Sequence, residues 1–396
     1  MSKVRLFLPA DSTFLSSVIY EGLLYLISKH SKAFSLTEID FEDDFLSKAF
    51  ANLEDGRIDG IKVAMAGNDN INSKIFEKLG LNLQSRKTFS DLLKLLKGSS
   101  DVIKVSGDIE ISQRFSKKTV LIDLKRKEDG ISAPQIFKVD RYTGFSSLES
   151  ELTSEQLTLY ISKEIALIAL LGIYSAFVIA VAQQQQRNYY FLFFSPDEVL
   201  RLLSSGKRDL VKTLMNVKDN ARKMLNEIIS KHYSNELLVA EVALNVEIRN
   251  LLEKENLDKI SLLLFKISPE GQRQIYAYKI YEVTPIEFFK ETKFEALSKY
   301  FGDSERLIKS LREIVSPQSV VLEALSSMGK KNRYAEAENV LVAINGLYRF
   351  VVLGDADGFH EFTQKISEAI RKLENSNNPR ERNRAKEYRR IIAKLS

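Results

Sequence analysis

The run from Ile165 to Ala182 constrains the fold of this chain more than any other stretch. Its residues are all apolar or small, apart from Tyr174 and Ser175. A helix without a polar face needs cover on every side, so the run predicts either a central helix in a protein core or a membrane span. Spans need about 20 apolar residues, with a range of about 17 to 25, so this run of 18 residues lies at the short end and its length does not decide between the two.

The flanks favour a protein core. Lys163 and Glu164 lie within the same helical pattern, where charge is costly in lipid. The residues from Thr153 to Gln156 predict a capping box that starts the helix. The aromatic run from Tyr189 to Phe194 predicts a strand, and an unpaired strand edge is not tolerated in lipid. We therefore expect a buried helix, with a single-span membrane protein using Ile165–Ala182 as the alternative.

Composition excludes several classes of protein. A chain of 396 residues suggests two or three domains. The net charge of +5 comes from 58 basic and 53 acidic residues, so any basic footprint must be local. Cysteine is absent and only His30, His232 and His360 are present, so we expect no disulfide, no zinc site and no cofactor. The start of the chain does not read as a signal peptide, which predicts a cytoplasmic protein.

Periodicity predicts an α+β fold with three domains. A mixed α/β domain is expected over residues 1–150, the long helix with an aromatic strand, helices and a β-hairpin over 151–285, and a basic helical bundle over 286–396. The first domain is predicted to contain strands over Val4–Leu8, Leu36–Phe41, Gly60–Ala66, Val102–Val105, Thr119–Leu124 and Gln135–Val139, with helices over Ser12–His30, Asp43–Glu54 and Phe89–Lys97.

Later elements follow the same signals. Ser195-Pro196 predicts a helix start, and the pattern stays helical to about Asn256. Two runs, Ile260–Ile267 and Arg273–Val283, predict a hairpin because both are rich in β-branched and aromatic residues. Thr284-Pro285 predicts the start of the final helical region.

Catalytic motifs are weak in this sequence. It contains neither a phosphate-binding P-loop nor a dinucleotide-binding glycine motif. The Ser-x-x-Lys match at Ser204–Lys207 is more simply a loop that ends a helix. Acidic residues between Glu38 and Asp44 could gather a divalent metal, which leaves a metal-dependent nuclease using Asp43 and Asp44 as an alternative. Acids in a first helical turn are the simpler interpretation, so we expect no enzyme.

Basic loops give the clearest functional signal. Clustered lysine and arginine suit a phosphate backbone, and asparagine can read adenine. The last two predicted helices are also basic from Arg371 to Lys394, although a solvated face with salt bridges is an equal interpretation. The candidate nucleic-acid-binding residues are Asn68, Asn70, Lys125, Arg126, Lys127, Lys330, Lys331 and Arg333.

Three features together resemble a known family. They are the segment Asp140-Arg141-Tyr142-Thr143-Gly144, the apolar helix to Ala182, and the aromatic strand that leads into Ser195–Glu198. The chain resembles the large subunit of the archaeal type I-A CRISPR surveillance complex (Cascade). The resemblance implies a non-catalytic subunit whose partners are guide RNA, target DNA, the other subunits of the complex and a helicase–nuclease. Such a subunit helps to read the motif beside the target, while base pairing reads the sequence.

Overall fold

The computed structural model describes residues 2–61, 75–81, 88–105, 107–116, 119–134, 136–137, 139, 158–183, 186–230, 236–270, 277–289, 303–328 and 330–395. The chain divides into two compact units. Unit 1 comprises Met1–Asp219 and Ser261–Ile286, and unit 2 comprises Asn220–Ile260 and Glu287–Ser396. Helices and strands both contribute, so the fold is α+β as predicted. Domain boundaries at residues 150 and 285 stay a prediction.

Two helices form the centre of unit 1. Helix α1 (Phe14–His30) begins at Thr13 and helix α5 (Lys163–Ala176) begins at Ser162. Each cap accepts a hydrogen bond from a first-turn N–H, at 3.3 Å for Thr13 and 3.1 Å for Ser162. Every residue of α5 from Ile165 onwards is buried, which confirms that the part of the apolar run that is helical is covered by protein.

Two glycines bring these helices into backbone contact. A Cβ atom on Gly22 would overlap the carbonyl oxygen of Ile168, and one on Gly172 would overlap that of Val18. Any side chain at either position would therefore force the helices apart. The apolar sequence of α5 is matched by an equally buried α1, which provides the cover that a helix without a polar face requires.

Two sheets and three short helices surround this pair in the N-terminal part of unit 1. The first sheet has the order β2-β3-β1-β4, and the second has the order β5-β6-β8-β7. The strands are β1 (Ser2–Leu6), β2 (Ser31–Phe34), β3 (Glu38–Phe41), β4 (Ile109–Ile111), β5 (Gln113–Ser116), β6 (Thr119–Ile122), β7 (Ile131–Ser132) and β8 (Thr158–Ile161). The helices are α2 (Phe45–Ala51), α3 (Phe89–Lys97) and α4 (Ser100–Ile103).

The third sheet contains the aromatic strand that the sequence predicts. Its order is β12-β11-β10-β9, with strands β9 (Phe177–Gln183), β10 (Gln186–Phe194), β11 (Lys259–Glu270) and β12 (Ala277–Phe289). The ring of Phe14 meets Phe191, Phe193 and Phe265 edge to face at 5.3–5.7 Å, a favoured aromatic geometry. This cluster ties α1 to the sheet.

The long central helix is shorter than predicted. The predicted run to Ala182 was wrong beyond residue 176, because Phe177 begins β9 and the chain pairs with β10, Ala180 lying opposite Tyr189. Apolar character alone does not separate a buried helix from a buried strand, and the β-branched residues of β9 favour the strand. The predicted helical start at Thr153 lies outside the described residues. Residues Thr158–Ile161 form β8, so the helix starts at Ser162 instead.

Three further predictions were wrong. Thr284-Pro285 does not start a helix, because both residues lie in β12 at the edge of its sheet, where a proline without N–H is tolerated. The predicted strand over Val102–Val105 is partly helix α4 instead. The described residues of Gln135–Val139 form a 3-10 turn, since Pro134 precedes them and accepts the N–H of Phe137. The predicted strand over Gly60–Ala66 lies mostly outside the described residues.

Helix α6 (Pro196–Ser205) confirms the predicted Ser195 cap, and Gly206 ends it with a φ of 60°. Helix α7 (Arg208–Ile229) follows and contains the boundary between the units. In the described residues of unit 2 that follow β12, the regular elements are all helices, as predicted. Its helices are α8 (Glu236–Lys254), α9 (Ser304–Ile314), α10 (Val320–Ser326), α11 (Ala337–Val351), α12 (Ala356–Glu374) and α13 (Pro379–Leu395). Across the part of the chain that the structure describes, no helix has the length and hydropathy needed for a membrane span.

Candidate nucleic-acid interface

The predicted loop of Lys330, Lys331 and Arg333 lies on the surface of unit 2 between α10 and α11. All three side chains are exposed. The loop is held in place by Tyr334, whose N–H donates to Ser327 Oγ at 3.0 Å. Arg333 also forms an ion pair with Glu338, which lowers the pKa of that carboxyl. The two lysines have no ion pair with any residue that the structure describes.

Helix α13 carries the strongest concentration of positive charge in unit 2. Its 17 residues include seven arginines or lysines and two glutamates. Ala385 and Tyr388 form its buried face, and the Tyr388 hydroxyl donates to the carbonyl of Val320 at 3.1 Å. Most of the charge is therefore displayed on the opposite side.

Three of the seven cations fasten α13 to its neighbours. Arg384 pairs with the fully buried Glu336, Arg389 with Glu374 at 2.5 Å, and Lys394 with Glu313. Burial raises the pKa of the Glu336 carboxyl, and the nearby Arg384 opposes that rise. Each of these three cations therefore has an anionic partner within the fold, although only that of Arg384 is buried.

The other four cations of α13 lack such a partner among the described residues. Arg380, Arg382, Lys386 and Arg390 are exposed and have no ion pair with any residue in the described ranges. Arg382, Lys386 and Arg390 are four residues apart in turn, so they form one stripe with a spacing of about 6 Å along the helix. Like charges at this spacing destabilise a helix by a few tenths of a kcal/mol per pair.

The loop and the helix adjoin one another. The guanidinium of Arg384 stacks over the ring of Tyr334 at 3.4 Å from the ring centre, and Tyr334 directly follows the predicted basic loop. The fold thus brings together two basic segments that are about 50 residues apart in sequence. We use the name basic surface for the exposed cations of the two segments together, which are Lys330, Lys331, Arg333, Arg382, Lys386 and Arg390.

The remaining candidates are placed elsewhere. Lys125, Arg126 and Lys127 are exposed in unit 1, just before β7, and Lys127 lies 3.9 Å from Glu128. The predicted hairpin at this position was wrong, because β8 lies between β6 and β7 in the sheet and these residues only connect the two strands. Asn68 and Asn70 lie outside the described residues, so their role stays a prediction.

The acidic segment near residue 40 has ordinary structural partners. Glu38 and Asp40 both pair with Lys3, and Glu42 pairs with Lys48 at 3.2 Å. Within the described ranges, no three histidine, aspartate or glutamate side chains form a group that could hold a metal ion. The segment lies on strand β3 and the turn before α2, and its ion pairs are partly exposed on the surface.

Sequence reasoning missed a buried ionic cluster in unit 1. Lys218 of α7 and Glu21 of α1 form an ion pair at 2.7 Å, and each side chain is 1% exposed. Arg57 pairs with Asp219 at 2.6 Å and stacks on the ring of Tyr174 at 4.7 Å. Burial lowers the pKa of the Lys218 ammonium.

This cluster also explains where α5 ends. Arg57 donates to the carbonyls of Tyr174 and Ser175, at 3.1 and 3.3 Å, and Lys218 approaches the Ser175 carbonyl at 3.4 Å. Cations at a helix C-terminus satisfy carbonyls that have no intrahelical partner. Partners spread over nearly 200 residues leave no local motif, so no sequence signal could have found the cluster.

Comparison with known proteins gives one close relative. An uncharacterized protein from Archaeoglobus fulgidus is 49% identical over 398 residues, and the alignment covers the whole of both chains. The chain belongs to the same family as this archaeal protein. No protein-family model and no solved structure matches the chain.

Proposed function

We propose that unit 2 binds the phosphate backbone of a nucleic acid through the basic surface, without catalysing a reaction on it. The observation that carries the proposal is the stripe of Arg382, Lys386 and Arg390. These side chains are exposed and lack ion pairs in the described structure, whereas three other cations of the same helix are paired.

Unfavourable charge interactions within α13 support the proposed binding of a polyanion. Arg380 and Arg382 lie near the N-terminus of α13, where the helix dipole disfavours positive charge. The stripe also places like charges four residues apart, which opposes helix formation. A bound polyanion would offset both costs. The step of about 6 Å along the stripe is close to two phosphate steps of about 3.4 Å on one strand.

The resemblance to the large subunit of a type I-A CRISPR surveillance complex makes the proposal more specific. In that role the chain would be a cytoplasmic, non-catalytic subunit bound to guide RNA and target DNA beside the other subunits. It would help to recognise the motif next to the target and to recruit the helicase–nuclease in antiviral defence. Backbone contacts position a protein on nucleic acid without reading its sequence, which suits a subunit whose specificity comes from base pairing.

Backbone binding is tested by a salt titration with a fluorescently labelled duplex and the full chain. Replacing Arg382 and Arg390 by alanine should weaken binding about tenfold and lower the slope of log K against log salt by about two, since two phosphate contacts are lost. The control replaces Lys94 and Lys207, two exposed lysines of unit 1, and removes the same charge. An equal effect of both variants would show that only net charge matters and would contradict the proposal.

The basic loop provides a second set of variants for the same titration. Replacing Lys330 and Lys331 by alanine should weaken binding further, with a smaller contribution from Arg333 because Glu338 already neutralises it.

The CRISPR assignment is tested separately by the genes beside that of this protein. Genes for other components of a type I complex are expected there. Their absence would remove the assignment and leave the backbone-binding proposal standing.

A further inference from the structure

Unit 1 contains a polar cavity of about 230 Å³ that the nucleic-acid proposal does not use. It lies among α1, α5, α7 and the segment that follows α2. Its lining residues are Tyr25, Ser28, Lys29, Asn52, Glu54, Arg57, Tyr174, Ser175, Lys212, Met215, Asn216, Lys218 and Asp219. Four of these side chains are cationic and two are anionic. Lys218 is already paired with the buried Glu21, so the positive excess comes from Lys29 and Lys212.

The inner wall of the cavity is rigidly built. Arg57 is 13% exposed, and its Nε and one Nη donate to backbone carbonyls and to Asp219. The other Nη makes no hydrogen bond to any residue that the structure describes. The Tyr174 hydroxyl accepts the N–H of Glu54 at 2.8 Å, which leaves its own proton able to donate. The wall therefore offers donors whose positions are already fixed.

The mouth adds two exposed charges from different helices. Lys29 belongs to the end of α1 and Lys212 to α7, and both are exposed without an ion pair in the described ranges. Tyr25 lies beside Tyr174, with ring centres 5.9 Å apart, and burial raises the pKa of the Tyr25 hydroxyl. That hydroxyl keeps its proton at neutral pH and so acts as a donor.

We propose that this cavity binds the phosphate group of a small ligand, held by Lys29 and Lys212 at the mouth and by Arg57 and Tyr25 at the wall. Small-molecule pockets usually measure about 300–1,000 Å³, so this one suits a phosphate group with a short or exposed remainder. Charge-assisted hydrogen bonds are the strongest that such a site can form. The polar lining disfavours an apolar ligand.

The test is calorimetric titration of the full chain with inorganic phosphate and adenosine 5′-monophosphate, with adenosine as the uncharged comparison. Both phosphates should bind and adenosine should not. Lys29→Ala and Lys212→Ala should each weaken phosphate binding about tenfold, in line with loss of one charge-assisted hydrogen bond. Tyr25→Phe, which keeps the ring, should weaken it several-fold. Lys207→Ala is the matched control because Lys207 is exposed but does not line the cavity.

Two results would overturn the proposal. One is the absence of phosphate binding at millimolar concentration in the wild-type chain. The other is binding that survives both lysine substitutions but disappears when Arg382 and Arg390 are replaced, which would place the anion on the basic surface. Failure of the nucleic-acid proposal alone would leave the phosphate titration unchanged, so the two proposals are separable.

Discussion

In both units a pair of facing glycines allows two helices to pack closely, but the charged residues of the two units have different roles. In unit 1, Gly22 and Gly172 bring α1 against α5. In unit 2, Gly346 and Gly358 bring α11 against α12, and a Cβ on Gly346 would lie 2.7 Å from the carbonyl oxygen of Gly358. Close helix contact is therefore achieved twice in one chain without sequence similarity between the helices.

Each unit also buries an ion pair, and here the difference is informative. In unit 1 the cations Lys218 and Arg57 are both engaged by carboxylates and by the end of α5. In unit 2 Arg384 is engaged by Glu336 in the same way, but its helix carries further cations that contribute nothing visible to folding. Exposed charge that has no ion pair within the described residues is free to meet an external partner, and the stripe of Arg382, Lys386 and Arg390 concentrates such charge on one helix.

The largest effect is expected from Lys218→Met. It leaves the Glu21 carboxylate buried without its cation, and breaking a buried pair in this way typically costs about 3–5 kcal/mol. The free energy of opening, measured by hydrogen exchange in peptides from α5, should fall by that amount. Arg384→Met should cost less in peptides from α13, because Arg384 is 14% exposed and Glu336 also lies 3.5 Å from the Tyr388 hydroxyl.

A double variant, Glu21→Gln with Lys218→Met, is the control for this comparison. Removing both charges should restore much of the lost stability, since the pair offsets its own desolvation cost only in part. A single variant that is as stable as the wild type would mean that Glu21 is not buried as described.

Gly172→Ala should have the next largest effect. The added methyl group meets the backbone of α1, and such overpacking costs about 1–3 kcal/mol or somewhat more. Gly358→Ala should cost less, because Gly358 lies in the first turn of α12, where a helix end can shift. Gly107→Ala is the control, since a Cβ there meets nothing within 4 Å. Equal losses at positions 172 and 358 would remove the distinction between the two contacts.

The sequence predicted the parts of the fold that depend on local pattern. The Ser195-Pro196 start, the aromatic strand and the helical character of unit 2 all follow from caps and periodicity, and the basic loop was found from charge alone. The end of α5 at Ala176 could not be predicted, because it depends on cations from Arg57 and Lys218 and on pairing with β10. The positive charge of α13 was visible in the sequence, but only the fold shows which of its cations have ion pairs and which form the exposed stripe.

The two ion pairs should respond to pH with opposite signs. Burial raises the pKa of Glu336 in the folded state above its usual 4.5, so unit 2 should lose stability as pH rises from that value through the raised pKa. Burial lowers the pKa of Lys218 below 10.5, so unit 1 should gain stability as pH rises from the lowered pKa towards 10.5. Hydrogen exchange at several pH values, compared with Glu336→Gln and Lys218→Met, isolates each contribution. If the free energy of opening changed with pH equally in the wild type and in the variant of either unit, the pKa shift assigned to that unit's buried residue would be contradicted.

The smallest change in stability, and the sharpest separation of the units, is expected from Arg382→Gln with Arg390→Gln. Both residues are exposed and lie four positions from Lys386, so removing their charge relieves repulsion of about 0.2–0.5 kcal/mol per pair. Thermal unfolding should therefore show an equal or slightly higher melting temperature, while affinity for nucleic acid falls about tenfold in the salt titration. Lys218→Met should instead lower the melting temperature and leave the affinity for nucleic acid unchanged, because that cation is required by the fold. A clear loss of stability in the arginine variant would mean that the stripe has a structural partner, and its charge would then no longer support a role in binding.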